Sequence, residues 1–255
     1  MDNIIKKIDE VPALPKTILN VMELSNKEDK SPDKLIDIIK YDPMIVSMLI
    51  KTANSALFGY KNKIETIENL VYLLGIELTT SLVLSQYIQS SFDIDFSPYG
   101  IDVNQFRDNT MLKVNLLSLW LKKVDINLKK ELLLPMTILN IGKFIISDEI
   151  IRLKQQDKFL AKVKNEPYNL ESIEKEFCGY CSVDVTILLL EHWDMGDKII
   201  DNIKNSIYIK VVDNICNIVD PLNFKEIDKN LKDIEHLGYD IKPLKDAIMT
   251  IEDRL

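Results

Sequence analysis

At 255 residues, with 46% hydrophobic and 28% charged residues, the chain can bury a full core as one large or two small domains, which excludes a disordered polymer. The 40 acidic and 32 basic residues leave a net charge of −8 with no long single-sign block, so a nucleic-acid groove of clustered Lys and Arg is excluded and a protein partner or small ligand is favoured. Three cysteines, an odd number, fit reduced thiols rather than a disulfide framework. No apolar run is read as long enough to cross a bilayer. Met1 to Lys7 also lacks the apolar stretch and small-residue cleavage site of an export signal, so the chain is expected in the cytoplasm, away from the membrane. Only 7 glycines and 9 prolines occur, mostly at boundaries, and apolar residues recur at 3.6 spacing. The predicted fold class is all-α.

In chain order, Val11-Pro12-Ala13-Leu14-Pro15 is extended, and a helix from Lys16 carries Ile18, Val21, Met22 and Ser25 on one face. Ser31-Pro32-Asp33 is a cap followed by a proline, and it starts a helix bearing Leu35, Ile36, Ile38 and Ile39 that ends near Tyr41. Asp42-Pro43 repeats the signal. Ile45, Met48, Leu49 and Thr52 follow at helical spacing, and the run closes in Ala53-Asn54-Ser55-Ala56-Leu57-Phe58-Gly59, with Gly59 expected to turn at positive φ. Thr66 is the predicted cap of a helix through Leu74, Gly75 closes it in the left-handed conformation, and 76–88 forms the next helix.

Residues 92–100, with Asp93, Asp95, Ser97, Pro98 and Gly100, read as a connection. Asp102 and Gln105 form a capping box for a long helix to about 123 that buries Phe106, Leu112, Leu116, Leu119 and Trp120. The apolar stretch 131–146 is broken by Pro135, at a kink or a junction of two helices, and by Gly142, beyond which a helix runs through Ile151. The polar stretch 154–167 is expected to be a surface excursion. Asn169, Ser182 and Asp197 are candidate caps of helices reaching Phe177, Trp193 and Ile203. From Tyr208, residues Val211, Val212, Ile215, Ile218 and Val219 mark a core-facing helix, and 225–255 adds two amphipathic ones.

The run Asp42-Pro43, an Ile/Leu/Met helix, Ala53-Asn54-Ser55-Ala56 and then an aromatic-glycine pair resembles the HDOD domain, the HD-related output domain of bacterial signalling proteins. The opening Leu14-Pro15 element and the apolar helix ending Leu73-Leu74-Gly75 agree in order and spacing. The resemblance covers roughly 11–217. It implies an N-terminal helical subdomain over 1–96, packed on a degenerate HD-like helical core over 97–217, with 218–255 as a helical appendage.

HDOD domains resemble the HD phosphohydrolases, which hold divalent metals with His and Asp and attack phosphate esters with a metal-bound water. Carried over by position, the ligand sites fall at Asp108, at Leu139 and Asn140 where the His-Asp pair would stand, at Ser182, near Ser206 and at Asp213. Only Asp108 and Asp213 are carboxylates. Leucine cannot ligate and an amide oxygen brings no charge, so no metal, cofactor or catalytic residue is expected. His192 and His236, the only histidines, fall at none of these positions and are expected to face solvent. Cys178-Gly179-Tyr180-Cys181 could be a redox pair or, with Cys216 and His192, a zinc set, but two small thiols at a helix junction is the preferred reading.

The expected function is therefore regulatory: a signalling domain that contacts a protein partner or a small ligand without catalysis. The groove to inspect is bordered by Asn54, Ser55, Asp108, Asn140, Lys143 and Asp213. The alternative is a metal-dependent phosphohydrolase acting on a nucleotide or cyclic dinucleotide.

Overall fold

The computed structural model describes residues 3–27, 29–55, 58, 60, 62–91 and 95–254, and these form helices and no strand. The expected turn at Gly59, the flanking Ala56 and Leu57, and Phe92 and Asp93 of the connection lie outside the described residues.

The first helices are α1 (Asn3–Asp9), α2 (Lys16–Asn26), α3 (Pro32–Ile39) and α4 (Pro43–Ala53). Their starts follow local chemistry. The Ser31 hydroxyl accepts from the Lys34 N–H, and Asp42 Oδ1 accepts from Met44 and Ile45 at 3.1 and 3.0 Å, with proline at the first helical position in both helices. Then α5 (Ile67–Ser91) is interrupted at Gly75, whose φ of 81° and ψ of 170° lie outside the helical region. The break is where glycine was expected to stop a helix. Its backbone, however, is extended at positive φ rather than left-handed, a region essentially closed to other residues.

The 67–88 segment is, by length and composition, apolar enough to cross a membrane, contrary to the expectation that no run is. Its glycine break and its buried residues, among them Leu70, Val71, Leu82, Val83 and Ile88, make it a core helix. It packs on α2, α3 and α4 and, across the molecule, on α7 (Ile126–Ile138).

The long helix α6 (Val103–Val124), which packs on α7, is started by the reciprocal Asp102–Gln105 bonds of 2.8 Å each. Pro135 lies inside α7 rather than at a junction between helices. Next come α8 (Gly142–Arg152), α9 (Gln156–Asn165), α10 (Leu170–Cys178), α11 (Ser182–His192), α12 (Asp197–Asn205) and α13 (Ile207–Ile215). The expected surface excursion at 154–167 is thus mostly helix. Phe159 and Val163, four residues apart, are fully buried on its inner face, where Phe159 meets Tyr99 and Phe177 edge-on.

The predicted helix through Val219 stops at Ile215 for a specific reason. Asn217 Oδ1 accepts from Val219 and Asp220, its Nδ2 donates to the Pro167 carbonyl, and buried Asn109 donates to the carbonyls of Cys216 and Asn217. These side chains take the place of the helical hydrogen bonds. Finally α14 (Phe224–His236) packs on α13, and α15 (Lys242–Glu252) lies along α6.

The N-terminal helix α1 docks on α8 and α11. Glu149 of α8 accepts from Asn3 Nδ2 at 2.5 Å and is gripped by Arg152, with Lys7 close by. The Arg152 guanidinium first, then Asn3 and Lys7, hold the Glu149 carboxyl down to about 2 against the opposing effect of burial. A lowered folded-state pKa contributes stability that is present above the usual glutamate value and is lost as pH falls from 4.5 toward 2. Glu149→Gln is expected to lower stability at neutral pH by about 1–3 kcal/mol and to flatten that acid limb, as read from urea unfolding across pH.

Candidate functional site

The side chains that converge come from five helices: Lys113 of α6, Lys143 of α8, Glu174 of α10, Ser182 of α11 and Asp213 of α13, with Asn140 from the turn before α8. Local sequence explains why Lys113 and Glu174 point inward. On α6, Phe106, Thr110, Lys113, Leu117 and Trp120 share one buried stripe, and on α10, Glu174 shares the face of Leu170, Ile173 and Phe177. Two charged residues thus ride on apolar faces.

Each charge is paired. Lys113 Nζ donates to Asp213 Oδ1 at 2.6 Å, and the Asn140 amide donates to the same oxygen at 3.2 Å. Burial pushes the Asp213 carboxyl upward, but Lys113 beside it, then Lys143 and the Asn140 amide, outweigh this and hold it below the usual range. Lys143 Nζ donates to Glu174 Oε1 at 2.9 Å and to Ser182 Oγ at 2.8 Å, and lies 5.3 Å from the centre of the Tyr99 ring. Glu174, 0% exposed, also accepts from the Tyr99 hydroxyl at 2.7 Å and from the Ser182 N–H at 2.6 Å.

Lys113, Asn140, Lys143, Ser182 and Asp213 border a cleft of about 250 Å³ whose remaining wall includes Tyr168, Asn169, Glu171, Ser172, Asn214 and Asn217, with Glu174 fully buried behind Lys143 and Ser182. Glu171 stands at the exposed rim, where partial desolvation, then the Asp213 and Glu174 carboxylates, raise its carboxyl above the usual range.

Of the positions singled out in the sequence, Asn140, Lys143, Ser182 and Asp213 meet here. The others do not. Asp108 is exposed a turn or more before Lys113 and lines two other cavities that it shares with Ser55, one of about 630 Å³ walled by Leu112, Ile218 and Leu222, the other of about 330 Å³ beside Lys51 and Arg107. Leu139 is buried in the core, and its carbonyl accepts from the Thr186 hydroxyl at 2.9 Å. Ser206 caps α13 by accepting from the Ile209 N–H.

Asn54 does not face the cleft. It staples the corner after α4, donating to the Ile50 and Ile64 carbonyls and accepting from the Ile64 N–H, each at 2.8 Å. Ser55 differs, with a buried hydroxyl that has no hydrogen-bond partner among the described residues. Ser182 is the first residue of α11 rather than its cap; Cys181 holds the cap position, its N–H donating to Asp184. At the next helix starts, Asn169 holds the cap position of α10 but turns its amide to Glu166, and Gly196 rather than Asp197 precedes α12.

Sequence reasoning missed Lys113, Glu174 and Glu171. For Lys113 and Glu174 the available signal was a charged residue inside an apolar stripe.

The residues do not fit a divalent cation. Asp213 Oδ1 is taken by the Lys113 ammonium, which can only donate, and by the Asn140 amide, while the Ser182 hydroxyl accepts from the second ammonium. Among the described residues, no three His, Cys, Asp or Glu side chains come together. The cysteines offer no alternative. Burial pushes the thiols of Cys178, Cys181 and Cys216 up to about 12, 11 and 12, leaving little thiolate for redox chemistry at neutral pH, and among the described residues they belong to no cluster that could hold a metal. His192 is exposed, with Nε2 3.0 Å from the Val11 carbonyl, and Trp193 beside it donates to Pro12, so the pair clasps the segment between α1 and α2.

The HDOD domain model matches residues 11–207. The chain belongs to the HDOD family. No curated protein matches it by sequence. The HDOD chain is similar in structure to a Shewanella amazonensis protein provisionally named a phosphohydrolase, at 20% identity and a TM-score of 0.70 over 98% of this chain and 93% of that one. An HDOD domain protein of unknown function from Geobacter sulfurreducens aligns at 12% identity and a TM-score of 0.64, covering 98% and 95%. A Marinobacter aquaeolei protein provisionally named for signal transduction gives 15% identity and a TM-score of 0.72, covering all of this chain and 59% of that one. At these identities the likeness establishes the fold, an all-helical HD-like arrangement.

Proposed function

We propose that this HDOD chain is a bacterial regulatory protein that works in the cytoplasm by binding a signalling protein or a small ligand, without catalysis. The observation that carries this reading is the pair of ammonium groups, Lys113 and Lys143, at the point to which the family resemblance assigns dications. HD-type hydrolysis needs a Lewis acid and a water made acidic by it. An ammonium paired to the remaining carboxylate competes directly with such an ion. The fold shared with the Marinobacter signal-transduction protein fits the same reading.

The test is turnover. With Mn²⁺ supplied, neither an aryl phosphodiester nor a cyclic dinucleotide is expected to be hydrolysed above the buffer rate. Turnover that is lost in Asp213→Asn would overturn the reading and establish the phosphohydrolase.

A further inference from the structure

Lys113 and Lys143 are not equivalent. Lys143 divides its hydrogen bonds between Glu174 and Ser182 and is closed in by the Tyr99 ring. Lys113, 2% exposed, carries three N–H donors and, among the described residues, gives one of them to Asp213. The other two N–H donors of this buried ammonium need acceptors, and the space next to it is the polar cleft.

We infer that this cleft binds a small oxyanion, a phosphate or carboxylate group, whose oxygens accept the remaining N–H groups of Lys113. The inference rests on the proposed function in one respect only: no metal shares the site.

Charge and size point the same way. Asp213 in the cleft and Glu174 behind it are each already matched by a lysine, so neither is left uncompensated to hold a cation. Asn169 and Ser172 add neutral polar surface. The volume of about 250 Å³ lies below the range of about 300–1,000 Å³ usual for drug-sized ligands, so the cleft suits an anionic group rather than a whole nucleotide. The opposing feature is Glu171 at the rim, within the field of Lys143, Lys175, Asp213 and Glu174. Ionised, it repels an entering anion.

The experiment is isothermal titration of the full chain, in chelator, with inorganic phosphate and separately with acetate. Saturable binding of either is expected, and the one that binds identifies the source of the oxyanion. Lys113→Gln combined with Asp213→Asn, which removes both charges together, is expected to weaken that binding at least about tenfold, a loss of 1.4 kcal/mol. Glu171→Gln, a change at an exposed position that leaves the core intact, is expected to tighten it about fivefold, the order of one charge repulsion across a solvated gap. Binding of neither anion with or without Mn²⁺, or affinities unchanged in both variants, overturns the inference and leaves the non-catalytic reading standing. Binding that appears only when Mn²⁺ is added overturns both.

Discussion

Lys143→Met is expected to lower the stability of the chain by about 3–5 kcal/mol, the cost of stranding one member of a buried ion pair. Glu174 has no route to water, and its two oxygens are committed to Lys143, the Tyr99 hydroxyl and the Ser182 N–H. Removing the ammonium leaves a carboxylate that must be buried charged or take up a proton. The companion variant Lys143→Met/Glu174→Gln removes both charges and keeps an acceptor for Tyr99, so it is expected to recover at least half of the loss. Urea midpoints at constant slope measure both. A single variant as stable as the parent would contradict the predicted cost of breaking the pair.

Gly142→Ala is expected to be equally severe for a different reason. A Cβ at that position would lie 2.0 Å from the Ser182 carbonyl oxygen and 2.8 Å from the Thr186 nitrogen, both main-chain atoms of α11. Flexible side chains can yield, but a helix backbone cannot without moving the helix. The Gly142 N–H also donates to the Thr186 hydroxyl, which in turn donates to the Leu139 carbonyl, so the same displacement breaks a buried chain of hydrogen bonds. The expected loss is about 3 kcal/mol or more, above the usual 1–3 kcal/mol of overpacking, read as a lowered unfolding midpoint. Because Lys143 and Ser182 flank this contact, anion binding in the cleft should fall with it.

Signals confined to a few residues were legible in the sequence. Asp42-Pro43, Ser31-Pro32 and the Asp102–Gln105 box each act within one helical turn, so their outcome depends little on the rest of the fold. Long-range pairings were not. Nothing local says that Lys113 will meet Asp213, or that Lys143 will reach Glu174, because those contacts span 100 and 31 residues. Asn217 ended α13 early through side-chain bonds that a periodicity reading cannot see, and α9 escaped notice because only Phe159 and Val163 of its residues are buried. Asp108, carried over from the resemblance, lies five residues before Lys113 and lines other cavities. Asn140, Ser182 and Asp213 line one cleft.

The most direct measurement is anomalous scattering at the manganese edge from crystals grown with Mn²⁺ in excess. The ammonium pairs predict that no ion stands at bonding distance from Asp213, and that Lys113 keeps its contact with that carboxylate. An ion held by Asp213 together with Asn140 or Ser182, with Lys113 swung aside, would contradict the account.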